Sequence, residues 1–259
     1  CQYEMVEENI FEITNTLKVG EGTLNFHKSL SFSDMFTPPL EGYTFTFSLT
    51  PDANTPDTYS IVDNTSDANS VTGITPVLKN DKVIGYTLEK RLTSSEPVTD
   101  LTNWAYLKFH FVTPGTYTFT LQENVPDTIE DGMYYDTTPH TIRFVVTEGN
   151  DKLEVTREDS SNDPTIFNEL KTKSMGLYKY WHDTGYEDDR PDVTNLLKRL
   201  VARYSTDNGT TWTEYGKMSN LQTKLDITVD TTGWGENLWF INIKKLPTYM
   251  NGKVARWSF

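Results

Sequence analysis

Apolar side chains recur along this chain with a step of two, and that period restricts its fold more than any other feature. In Tyr43-Thr44-Phe45-Thr46-Phe47-Ser48-Leu49 four apolar residues alternate with Thr and Ser, the pattern of a strand with one face in a core and one in water. Tyr117-Thr118-Phe119-Thr120-Leu121-Gln122-Glu123 repeats it after the turn signal Thr113-Pro114-Gly115. Leu24, Phe26, Lys28 and Leu30 share one face of a strand over 23–30. The stretches 141–147 and 152–156 read as two more strands, joined across Glu148-Gly149-Asn150-Asp151. The segment 50–70, rich in Asp, Asn, Thr and Pro, reads as a loop. Only 193–204 departs from the pattern. There Leu196, Leu197, Leu200 and Val201 stand near helical spacing, although a strand with a long apolar run fits equally.

Short strands separated by turn signals predict an all-β fold, two immunoglobulin-like β-sandwich domains in tandem. A length of 259 residues accommodates two such units, with the break expected in the polar stretch 170–175. Charge and composition narrow the function. Lys plus Arg number 23 against 37 Asp plus Glu, a net charge of −14, which repels nucleic-acid phosphates and anionic lipid. No apolar run approaches the roughly 18–20 residues of a membrane span, so neither nucleic acid nor membrane insertion is expected. One Cys excludes an internal disulfide framework, and no Cys/His group has zinc-site spacing. The four His (His27, His110, His140, His182) show no triad or ligand spacing, and Glu187-Asp188-Asp189 lacks the order of a calcium loop. No metal and no cofactor is expected.

One residue breaks the apolar alternation. Lys28 points into the same core as Leu24, Phe26 and Leu30, which is costly for a charge unless it is neutral or paired. Glu123 continues the inward face of Tyr117, Phe119 and Leu121, and Ile166-Phe167-Asn168 carries an Asn into a short apolar strand. A desolvated Lys is a neutral amine and a nucleophile. A carboxyl group in the same apolar site stays protonated and polarises an amide. The Asn carboxamide supplies an electrophilic carbon and can lose ammonia. Held in contact, the three would form a Lys–Asn isopeptide bond once, without an external enzyme. The alternative is a buried Lys–Glu ion pair with a hydrogen-bonded Asn, or a different facing of these strands.

Residues 18–172 resemble the isopeptide-forming pilin domain of Gram-positive surface proteins. The resemblance is carried by Phe26-His27-Lys28, Tyr43-Thr44-Phe45-Thr46-Phe47, Gly115-Thr116-Tyr117-Thr118-Phe119, Gln122-Glu123, Tyr135-Asp136 and Phe167-Asn168. It implies Lys28 as nucleophile, Asn168 as acceptor and Glu123 as the proton-handling acid.

Residues 173–259 resemble the collagen-adhesin B-type domain, on Lys179-Tyr180-Trp181, Asp183, Arg190-Pro191, Trp239, Leu246-Pro247, Tyr249 and Asn251-Gly252-Lys253. Its Lys179 fits the nucleophile of that family, but the strands bringing an acid and an Asn do not follow Phe259. Residues 1–17, ending in Ile13-Thr14-Asn15-Thr16, resemble the missing closing strands. The expectation is a tandem array cut out of phase, with Asn15 as acceptor for Lys179 in a second cross-link; the rival is closure between chains by strand donation. Gln2 stands where the family carries an acid, leaving Glu4 or Glu7 to substitute. Cys1 is read as a consequence of the phase rather than a lipidation or thioester site.

Together the resemblances imply a stalk or fibre repeat of an extracellular, cell-wall-attached adhesin or pilus of a Gram-positive bacterium. Neighbouring repeats or subunits are the expected partners. The competing class is a module binding glycan or host protein through Trp234, Trp239 and Trp257 or through the 50–70 loop. A conventional enzyme is not expected, because no constellation besides the self-linking one converges.

Overall fold

The alternation in sequence becomes alternation in burial. In the computed structural model, which describes residues 2–7, 10–14, 17–62, 70–158, 163–235 and 237–259, Leu24, Phe26, Lys28 and Leu30 are all fully buried. Of the intervening positions Asn25 and His27 are partly exposed, whereas Ser29 is buried. The elements run β1 (Gln2–Glu7), β2 (Ile10–Thr14), β3 (Gly20–Phe36), β4 (Tyr43–Pro51), β5 (Tyr59–Val62), β6 (Thr72–Lys79), β7 (Lys82–Leu92), β8 (Val98–Phe111), β9 (Gly115–Asn124), β10 (Met133–Tyr134), β11 (His140–Glu148), β12 (Leu153–Arg157) and β13 (Thr165–Leu170). They continue through β14 (Thr172–Tyr180), α1 (Val193–Arg199), β15 (Val201–Ser205), β16 (Thr213–Lys217), α2 (Met218–Leu225), β17 (Ile227–Asp230), β18 (Leu238–Pro247), β19 (Tyr249–Met250), β20 (Lys253–Val254) and β21 (Arg256–Ser258).

Two sheets of order β10-β13-β3-β8-β5 and β12-β11-β9-β4-β7-β6 face each other. Between them lies a core led by Phe26, Phe47, Phe109, Phe119 and Phe144. The first and last strands of this sandwich, β3 and β13, lie side by side and parallel, with Lys28 opposite Ile166 and Leu30 opposite Asn168. A second core, around Leu197, Met218, Trp239, Ile241 and Trp257, lies between the sheets β14-β18-β17 and β16-β15-β21. The fold is all-β with two short helices added.

Two segments differ from the sequence reading. The 50–70 loop contains β5, an edge strand paired to β8, which turns Tyr59 and Ile61 onto the first core. Its polar Asp, Asn and Thr neighbours mask it. The ambiguous stretch 193–204 is both helix and strand. Asp192 caps α1 by accepting from the Asn195 N–H at 2.7 Å, Lys198 and Arg199 stand in its last turn, and β15 follows at once. The helix α2 has no counterpart in the sequence reading; it ends at Asp226 in the left-handed region, φ 49°.

Where the chain leaves β13 for β14 the two cores are tied by main-chain bonds. Lys171 N–H donates to Gly132 O at 2.9 Å, Gly132 N–H to Tyr249 O at 2.8 Å and Thr248 N–H to Lys171 O at 2.8 Å. Gly132 sits at φ +93°, with the Lys171 carbonyl 3.0 Å from where a Cβ would stand, so a side chain there would be strained. Asp131 accepts from the Tyr215 hydroxyl at 2.7 Å and from the Lys224 amine at 2.9 Å. Tyr134 packs on Tyr249, with ring centroids 5.4 Å apart.

Candidate functional site: a Lys–Glu–Asn cluster in the first core

Three strands deliver three polar side chains to one point between the sheets. Lys28 descends from β3, Asn168 from the adjacent β13, and Glu123 from β9 in the opposite sheet, where it pairs with Phe47. Each obeys the parity of its strand, so the inward-facing period that buries Phe26, Leu121 and Ile166 buries them too. Lys28 and Asn168 are 0% exposed and Glu123 is 2% exposed.

One carboxylate bridges the other two groups. Lys28 Nζ donates to Glu123 Oε2 at 2.8 Å, and Asn168 Nδ2 donates to Glu123 Oε1 at 2.6 Å. The other end of the Asn168 carboxamide is held as well, since its Oδ1 accepts from the main-chain N–H of Asp136 at 3.0 Å. The Lys28 amine lies 4.4 Å from the centroid of the Phe45 ring and 3.4 Å from the Ile166 carbonyl.

Burial acts on the two ionisable partners in opposite directions. Desolvation is the largest influence on Lys28 and brings its amine down to about 8, against the pull of Glu123 toward the charged form. Desolvation is also the largest influence on Glu123 and raises its carboxyl above the ordinary range, opposed by Lys28 and by the Asn168 hydrogen bond. Both shifts favour passing the proton from amine to carboxylate along the 2.8 Å bond, leaving a neutral nucleophile and a neutral acid.

The arrangement can then carry out one acyl transfer. In such a step Lys28 Nζ would attack Asn168 Cγ, negative charge would grow on Oδ1 where the Asp136 N–H already points, and Glu123 would deliver the proton that lets Nδ2 leave as ammonia. The C–N bond to Nδ2 would break, the C–Nζ bond would form, and Glu123 would be free to take up the second amine proton. That Asp136 donor is absent from the sequence reading, where Tyr135-Asp136 carries resemblance but no role. Its carboxylate fixes the turn by accepting from Thr138 N–H at 3.0 Å and Phe167 N–H at 3.3 Å. Although burial raises it, those bonds hold its carboxyl below the usual range.

Among the described residues, the others singled out in the sequence do not gather into a comparable site. Lys179 is half-buried on the inward face of β14; its amine donates to the carbonyl of its neighbour Tyr180 at 3.1 Å and sits 4.4 Å from the Trp181 ring centroid. Asn15 and Cys1 lie outside the described residues. Trp239 and Trp257 are core residues, and only Trp234 is exposed, against Tyr178 and Phe240, so the three do not form one platform. Glu187–Asp189 forms a turn of 3-10 helix, and the neighbouring Arg190 pairs with Asp183 at 2.6 Å. Among the described residues no group of three or more His, Cys, Asp or Glu could hold a metal ion, and no helix is long and apolar enough to cross a membrane.

The model of the FctA family, the Spy0128-like isopeptide-containing domain, matches residues 24–171, more than half of the chain. The chain belongs to that family. Among solved structures it is similar to the major pilin of Streptococcus pyogenes in its N168A mutant form, at 17% identity over 87% of this chain and 78% of that one, TM-score 0.39. It is also similar to the major pilin T-13 of Streptococcus pyogenes, at 18% identity over 90% of this chain and 80% of that one, TM-score 0.34. No curated protein matches the chain.

Proposed function

We propose that this FctA-family chain is a load-bearing repeat of a Gram-positive cell-surface fibre, and that its first sandwich is locked by an isopeptide bond between Lys28 and Asn168. Glu123 is the proton shuttle. The observation that carries this reading is the single buried carboxylate hydrogen-bonded to both the amine and the carboxamide. The reaction runs once per molecule, so the chain is its own substrate and not a turnover enzyme.

The mechanical consequence follows from topology. Lys28 and Asn168 stand on the first and last strands of the sandwich, which are neighbours. A covalent bond between them lets tension pass from β3 to β13 without loading the strands between. Beyond Asn168 the path continues into the second core through Glu169, which pairs with Lys171 at 2.8 Å and accepts from the Tyr249 hydroxyl. Closing a loop of this length removes denatured-state entropy worth about 5 kcal/mol on the chain-entropy model.

Peptide mapping by tandem mass spectrometry tests the proposal. The reading expects the peptides holding Lys28 and Asn168 to appear joined and one ammonia lighter than their sum, and to separate in Lys28→Ala. Linear peptides from the unmutated chain would end it.

A further inference from the structure

The sheet β14-β18-β17 of the second sandwich carries a group of aromatic rings on its outer face. Along β18 the alternate residues Trp239, Ile241 and Ile243 turn into the core, which leaves Phe240 on the water side. Register places Tyr178 of β14 on one flank of Phe240 and Asp230 of β17 on the other. The Phe240 ring lies over Gly176, where an added Cβ would stand 2.5 Å from it. A side chain at 176 would push the ring away.

Trp234 completes the group from the turn that follows β17. Asp230 Oδ1 accepts from the main-chain N–H of Thr232 at 3.0 Å and of Gly233 at 2.8 Å, and the tied turn brings the indole against both other rings. Its centroid is 5.6 Å from that of Tyr178 and 5.2 Å from that of Phe240, while Tyr178 and Phe240 are 5.0 Å apart. Trp234 stands at 78° to Tyr178, so the rings make a floor and a wall. Tyr178 stays 50% and Trp234 51% exposed. Holding an indole half in water on a tied turn forgoes much of the gain of burying it and pre-organises the ring for a ligand.

The chemistry of the patch selects that ligand. The rings touch one another and leave no space for a cation among them, so the surface suits a flat ligand laid across it. Across the strands the row is flanked by Gly176, Asn242 and Thr228 on one side and by Tyr180 and Leu238 on the other. None of these is positively charged, Asp230 lies in the row itself, and the chain has a net charge of −14, which disfavours an anion. Half-exposed rings of this size leave roughly 200–300 Å² in water. That is well short of the roughly 800 Å² each side of a stable protein complex buries.

We infer that Tyr178, Trp234 and Phe240 bind a neutral pyranose ring of an oligosaccharide. The C–H bonds of such a ring, made partly positive by neighbouring oxygens, lie against the negative faces of the aromatic rings. Its rim hydroxyls face Asn242, Thr228 and Asp230, which offer donors and acceptors. The site gives the fibre repeat an adhesive role that does not depend on the Lys28–Asn168 bond.

Binding of the full chain to immobilised lactose, N-acetyllactosamine, maltotriose and cellotriose tests this, with sialyl-lactose as the anionic comparison and Gram-positive wall polysaccharide as the bacterial source. The unmutated chain is expected to bind a neutral saccharide and to prefer lactose to sialyl-lactose. Binding to the wall polysaccharide alone places the ligand on the bacterium, and binding to the other neutral saccharides places it on a foreign surface. Affinity is expected to fall about tenfold or more in Trp234→Ala and in Tyr178→Ala, and less in Trp234→Phe, which keeps a ring. Trp104→Ala, at an exposed Trp of the first unit, and Lys28→Met are expected to bind as the unmutated chain does. No binding to any of these saccharides would overturn the inference, and so would binding that survives both Trp234→Ala and Tyr178→Ala. Self-association of the chain that Trp234→Ala abolishes would also overturn it, by assigning the face to a second copy.

Discussion

Replacing Lys28 by Met removes the amine while keeping an unbranched side chain of similar size in the core. Such a swap in a packed interior costs less than about 1.5 kcal/mol of packing. Glu123, whose carboxyl burial already raises, keeps its hydrogen bond from Asn168. The dominant loss is therefore the cross-link, about 5 kcal/mol for a loop closed from position 28 to 168. For a unit of roughly 150 residues each kcal/mol moves Tm by about 2–4 °C, so the first unit should melt about 10–20 °C lower. Glu123→Gln keeps the shape but removes the acid, and it leaves Lys28 as a buried amine without its partner. It should lose the cross-link too and melt no higher than Lys28→Met. Calorimetry, paired with intact mass on the same samples, reads both effects. If Lys28→Met melts within a few degrees of the unmutated chain, or if Glu123→Gln has still shed its ammonia, the assigned roles are wrong.

The un-cross-linked variant Asn168→Ala should respond unusually to alkali. Its unfolded chain keeps the Lys28 proton up to 10.5, while the folded chain releases it near 8. The unfolded state therefore binds more protons in that window, and stability rises by about 2 kcal/mol between about pH 8 and 9.5; a flat or falling urea midpoint there, relative to Lys28→Met, would contradict the burial of the amine. Asp136→Ala frees the turn that aims a main-chain N–H at Asn168, and should slow cross-linking about 100-fold or more without preventing it, as followed by mass after refolding. Tyr249→Ala removes the contact with Glu169 and the packing on Tyr134, and should loosen the junction. Small-angle scattering would show a broader distribution of interatomic distances, and an unchanged profile would mean the main-chain bonds suffice.

Much of the first sandwich was legible because its central strands bury alternate residues: Tyr43 to Leu49 and Tyr117 to Glu123 can be oriented by parity alone. The same parity exposed Lys28 and Glu123 as intruders, since a charged residue on an inward face needs a partner. Asn168 was harder, because its strand is only six residues long, and the resemblance supplied its role. What sequence could not supply was the Asp136 donor. It is a main-chain group whose aim depends on a turn and carries no side-chain signature. β5 was lost among polar neighbours because an edge strand needs only Tyr59 and Ile61 turned inward. α2 was missed because its helix-forming residues, Met218 to Leu225, lack a strong apolar stripe and are held mainly by Met218 and Leu225 in the core.

The central claim is that a carboxylate shared by an amine and a carboxamide inside a closed apolar core makes bond formation the natural outcome of folding. The most direct measurement is a time course of intact mass during refolding of the unmutated chain, with no other protein present. The account predicts that the mass falls by one ammonia as the first core forms, and that the loss maps to Lys28 and Asn168. A chain that regains its native core and keeps its full formula mass would contradict it.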